Sequence, residues 1–185
     1  MKQLLFAMLM LTATLTAQSQ YINGVQVTGT TSSLIEKFKA KGWVFVKNVE
    51  GIPYLKGSIG NYSGCEMFIY STKSKQAAKV VVYLSEQANW SNLKARYKSI
   101  VDVYTEKLGQ PDVDNEDFEY PFESGDGYES TAVRSEKTNI NSVWLDIQNG
   151  NYEVSISKYM SVKIICENVT NMRIRTKEND NSLFD

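Results

Sequence analysis

Carboxylates are the side chains of this sequence best placed to do chemistry. Between Asp112 and Glu129 stand Asp112, Asp114, Glu116, Asp117, Glu119, Glu123, Asp126 and Glu129, with no lysine or arginine among them. Asp112, Asp114, Glu116 and Glu123 occupy positions one, three, five and twelve of a calcium-binding loop. Asp117 then stands where such a loop needs glycine for its sharp turn, and Pro121 interrupts its second half. The stretch therefore reads as a solvated acidic loop, with a partner-facing patch as its other use. Paired carboxylates can also hydrolyse glycosides without histidine, given two acids at a fixed separation across a cleft. Nothing in the spacing selects one pair from so many.

Histidine is absent from the whole chain, which removes the usual general base. A reactive thiol needs a base or a cationic neighbourhood, and without histidine neither Cys65 nor Cys166 is a credible nucleophile. They are either a disulfide or two small buried residues in strands. A bridge would close a loop of about 100 residues and contribute roughly 4 to 5 kcal/mol in the chain-entropy model. No P-loop, dinucleotide fingerprint, G-x-S-x-G elbow or zinc spacing occurs. The expectation is a non-enzymatic protein with no catalytic residue, no cofactor and no metal. Aromatic rings are the remaining candidates, led by Trp43, Trp90 and Trp144. Exposed on a sheet they could stack on sugars or anchor a protein, whereas their positions on helix stripes and strands favour core packing.

The elements that would position these groups follow from periodicity. Ser33 and Glu36 have capping-box spacing ahead of a short helix carrying Leu34, Ile35 and Phe38, which stops at Gly42. Four strands come next, at Trp43–Val46, Ile52–Gly57, Cys65–Tyr70 and Lys79–Leu84. A strongly amphipathic helix then runs from Trp90 to Leu108 and ends at Gly109 and Pro111. Beyond the acidic stretch, Thr131–Arg134, Ser142–Ile147, Tyr152–Ile156 and Ser161–Ile165 read as further strands, with Asn149-Gly150 as a two-residue hairpin turn. The order is helix and four strands, then helix and at least three or four strands. It implies an α+β fold: two helix-plus-antiparallel-strand halves, 29–86 and 89–170, forming one sheet of about eight strands with both helices on one face. Two small facing sheets are the alternative.

At the N-terminus, Lys2 precedes the apolar run Leu4–Leu11 and a Thr/Ala segment ending at Ala17. Residues 1–17 read as a secretory signal peptide, since the apolar run with its Thr/Ala segment is about fourteen residues where a bilayer span takes about twenty. The remaining chain, about 168 residues, suits a single domain over 18–175, with 176–185 as a polar, flexible tail. Net charge is −1 from 20 basic and 21 acidic residues, and the basic ones are scattered. Neither a nucleic-acid partner nor, after cleavage of the leader, membrane insertion is expected.

After the leader, Asn23-Gly24-Val25-Gln26-Val27-Thr28-Gly29, Lys39-Ala40-Lys41-Gly42-Trp43 and Leu55-Lys56-Gly57 form a recognisable opening. With Tyr104–Pro111, Ile147-Gln148-Asn149-Gly150 and Ile164–Asn168, it resembles small exported proteins of unknown function from Bacteroides-type bacteria. The resemblance covers most of the chain beyond the leader. It implies tandem helix-and-sheet halves similar to the β-lactamase inhibitor protein fold, and it brings no catalytic residue. The functional expectation is a secreted or periplasmic binding module whose partner is an envelope or extracellular protein or peptide. A carbohydrate-binding module that takes a glycan is the alternative, and a carboxylate-dependent hydrolase ranks third.

Overall fold

Period-two alternation organises the chain: Cys65, Met67 and Ile69 are buried, while Glu66, Phe68 and Tyr70 between them are half-buried on the opposite side. A computed structural model describes residues 21–181 and shows where this pattern leads. The proposed leader, 1–17, and the last four residues of the proposed tail lie outside the described residues. A hairpin comes first, β1 (Tyr21–Ile22) and β2 (Val25–Gln26), turned by Asn23 at φ 51° and Gly24 at φ 70°. Helix α1 (Thr31–Lys39) leads into β3 (Val44–Val49), β4 (Ile52–Ile59), β5 (Tyr62–Ser71) and β6 (Ala77–Tyr83). Helix α2 (Trp90–Leu108) opens the second half, succeeded by β7 (Val113–Phe118) and α3 (Glu129–Arg134). Strands β8 (Thr138–Trp144), β9 (Gly150–Ser157) and β10 (Ser161–Asn168) come after it, and α4 (Val169–Asn181) closes the described chain.

Eight strands form one antiparallel sheet in the order β3-β4-β5-β6-β10-β9-β8-β7. Each half is a four-strand meander, and the two meanders join through their last strands, with Val81 opposite Ile165 at the seam. The fold is thus α+β with one large sheet, as the doubled order of elements implies. Leu34 and Phe38 of α1 and Leu93, Tyr97 and Ile100 of α2 join one contiguous cluster with Met67, Val82, Val154 and Ile164. The two helices therefore bury one face of the sheet and leave the other to α4, which reaches it at the Tyr70 end. No helix among the described residues is long and apolar enough to cross a membrane.

Several local expectations change. Helix α1 starts earlier than the Ser33–Glu36 spacing implies: Thr30 is the cap, its hydroxyl accepting from the Ser33 amide at 3.3 Å. A bridge from Thr30 to Gln76 fixes the chain in extended form there, and Glu36 pairs with Lys39 instead. The front of the acidic stretch is a strand, not a loop, because β7 can ladder with β8 while solvent and cross-strand partners take its charges. Thr131–Arg134 is helical, since α3 buries Ala132 and Val133 together on one side. Asn149 has φ 66°, but Gly150 already lies in β9, so the β8–β9 connection is longer than a two-residue turn. Residues 176–181 continue α4, which is anchored by Arg175 to the Ser71 carbonyl and by Glu178 to the Lys73 amide.

Candidate binding face

The strand register lines up the side chains that point away from α1 and α2. One row runs Tyr54, Phe68, Val81, Ile165, Glu153 and Val143 across six strands. The next runs Lys56, Glu66, Tyr83, Lys163, Ser155 and Asn141. The first half of the face is aromatic, while Glu153, Ser155 and Asn141 make the second half polar. Tyr54 stacks on Phe68 with ring centroids 5.1 Å apart and planes inclined by 17°. Phe68 meets Tyr83 edge to face at 6.1 Å, and Tyr83 meets Tyr159, from the β9–β10 turn, at 6.4 Å. Phe68, Tyr83 and Tyr159 line a groove of about 700 Å³ together with Glu66, Tyr70, Ser85 and Glu86. A smaller depression of about 200 Å³ lies on the polar half, between Val143, Glu153, Ile165 and Glu167.

Charge on this face is interleaved with the rings. Glu66 accepts the Tyr54 hydroxyl at 2.6 Å and lies 3.4 Å from Lys56. Lys163 pairs with Glu153 at 3.2 Å, and Lys79 with Glu167 at 3.7 Å. Burial, followed by the nearby Tyr70, Tyr159 and Glu153, pushes the Tyr83 phenol above its usual range. Helix α4 meets the face at one end, where the Arg175 guanidinium sits over the Tyr70 ring at 5.3 Å.

Tryptophan is not the exposed aromatic of this molecule. Trp43 and Trp144 are 2% and 0% exposed, and half-buried Trp90 packs edge to face on Phe118. Trp144 donates its indole N–H to the Gly109 carbonyl at the end of α2, so its polar edge serves the fold. The acidic residues of the calcium-like spacing are separately engaged: Asp112 accepts from the Leu145 amide, Asp114 from the Ser142 hydroxyl, and Glu116 from Lys94. Among the described residues no group of three or more metal-binding side chains converges. Cys65 and Cys166 are free and buried. Cys166 pairs with Val80 while Cys65 precedes Glu66, the partner of Tyr83, so about 10 Å of strand or more separates them, beyond bridging reach. Burial pushes the Cys166 thiol up to about 12.

Phe68, Tyr70 and Tyr83 are the residues that motif reasoning passes over. Their signal is in the sequence all the same, as aromatic positions alternating with the buried Met67, Ile69 and Val82. Tyr159 has no such signal, because only the hairpin brings it to Tyr83. No family model, curated protein or solved structure matches the chain.

Proposed function

We propose that this is an exported, non-enzymatic binding module that holds a protein or peptide against the face of its sheet opposite α1 and α2. The observation that carries the reading is the aromatic groove of about 700 Å³ on a face that neither core-forming helix covers. Tyrosine and phenylalanine offer large, stiff contact area at low entropic cost, which suits a protein interface. Ring orientation favours a protein over a glycan. A sugar chain stacks best on coplanar rings, whereas Phe68 and Tyr83 are inclined by 84° and Tyr83 and Tyr159 by 76°.

The test is capture from the envelope proteins and glycans of the cells that make the protein, using the chain from Gln18 onward. Wild type is compared with Phe68→Ala and Tyr159→Ala on the face and Tyr120→Ala off it, Tyr120 being 93% exposed. The expected result is a saturable protein partner whose affinity falls about tenfold or more in both face variants and is unchanged in Tyr120→Ala. Equal capture by all four proteins would remove the face from consideration. Retention of a glycan alone would replace the protein reading with the carbohydrate one.

A further inference from the structure

We infer that the aromatic groove receives a basic side chain, arginine or lysine, from an extended segment of the protein partner. The inference rests on the binding reading of this face and names the chemistry of the occupant. The groove lining includes four rings, Phe68, Tyr70, Tyr83 and Tyr159, and two carboxylates, Glu66 and Glu86, but no lysine or arginine. Ring faces carry negative potential and attract cations within about 6 Å of the centroid, the more so where water is excluded.

The protein's own cations already show this preference at the rim. Lys79 lies 5.2 Å from the Tyr70 centroid, Lys158 5.7 Å from that of Tyr159, and Lys56 5.8 Å from that of Tyr54. Phe68 and Tyr83, in the middle, have no cation over them among the described residues. Successive near-perpendicular rings there wall the groove on more than one side, which fits a side chain entering between them better than a flat ligand lying on them.

Both carboxylates keep capacity for an incoming charge. Glu66 uses Oε1 for Tyr54 and Lys56, and Glu86 uses Oε1 for Arg134 at 3.0 Å. Each ion pair is solvent-exposed and hence weak, so a cation arriving from the groove side can share the carboxylate. Lys163, the cation that borders Tyr83 in the sheet, is held by Glu153. The length of the groove points to a chain segment as the source of the charge. It runs along β5 from Gly64 to Tyr70, about 20 Å of strand, which accommodates an extended segment of about six residues.

Three peptides test the occupant: acetyl-Gly-Tyr-Arg-Tyr-Gly-amide, the same peptide with citrulline for arginine, and the same with glutamate. Each is titrated into the ¹⁵N-labelled protein while the backbone amides of Gly64, Glu66, Tyr83 and Ser85 are followed. The arginine peptide should shift these amides saturably and bind about tenfold more tightly than the isosteric, neutral citrulline peptide. Glu66→Gln and Phe68→Leu should each weaken arginine binding about fivefold more than they weaken citrulline binding, with thermal melts confirming that both variants fold. Equal binding of the arginine and citrulline peptides in the groove would overturn the cation inference while leaving the face as a binding surface. Shifts confined to residues off the face, or none with any peptide, would also overturn it. Failure of the face reading itself is separate, and appears as a natural partner captured equally by wild type and Phe68→Ala.

Discussion

At Gly57 the absence of a side chain is a packing requirement. A Cβ there would lie 2.7 Å from Cε3 and 2.8 Å from Cγ of Trp43, whose ring fills the space over the β4 backbone. We expect Gly57→Ala to destabilise the protein by about 1 to 3 kcal/mol, read as a lower urea midpoint at unchanged slope. The Trp43 indole N–H is buried without an acceptor, so Trp43→Phe loses no hydrogen bond and opens room. The double variant should therefore recover part of the Gly57→Ala loss; strict additivity would mean that the clash lies elsewhere. A second expectation concerns alkali. Burial raises Tyr97 from 10.0 to about 12 and Cys166 from 9.0 to about 12, and it also lifts Tyr104 and Tyr152. The unfolded chain releases these protons first, so the protection is complete below about pH 9 and is lost as pH rises through about 12. Urea midpoints at pH 8, 9.5 and 11 should fall in that order, and a flat profile would show that these groups titrate alike in both states.

Among the elements, α2 shows how local sequence and tertiary contact divide the work. Asn89 accepts from the Asn92 amide at 2.9 Å and caps the start, while Trp144 covers the Gly109 carbonyl at the end. Asn89→Ala should cost about 1 kcal/mol, and Asn89→Asp should restore it, since aspartate also accepts from the first-turn amides; a loss in both would point to a role beyond capping. This helix, Trp90 to Leu108, is legible in the sequence because its apolar spacing and glycine stop agree. Legibility fails where the pattern is ambiguous or non-local. Four consecutive hydroxyl residues from Thr30 to Ser33 could each cap α1, and a bridge to Gln76, far along the chain, decides for Thr30. Strand β7 hides in an acidic run because its ladder to β8 and the partners Ser142 and Lys94 come from elsewhere in the chain. The binding face is half legible: alternation marks Phe68 and Tyr70 as opposite to Met67, but not which side the helices take.

For the whole molecule, the seam between β6 and β10 determines whether two similar halves behave as one body. Five residue pairs, from Lys79 with Glu167 to Tyr83 with Lys163, join the meanders, and Val80, Val82, Ile164 and Cys166 lie in the same apolar cluster. Without its partner, each meander would expose β6 or β10 as a long apolar edge, the arrangement most prone to aggregation. The groove also depends on both halves, since Tyr159 and Ser161 from the second line it beside Phe68 and Tyr83 from the first. We therefore expect one cooperative unfolding transition for the whole chain. Trp43 reports the first half and Trp144 the second, so variants retaining one or the other, with the remaining tryptophans changed to phenylalanine, give separate fluorescent probes of the two halves. Each probe should give, in its own variant, a urea midpoint that coincides with the far-UV circular dichroism midpoint of that same protein. If the Trp43 and Trp144 signals instead depart from that midpoint in opposite directions, the halves are independent folding units and the seam is a docking surface between them. In that case a ligand filling the groove should bring the two transitions together, because it would bind only where both halves are folded.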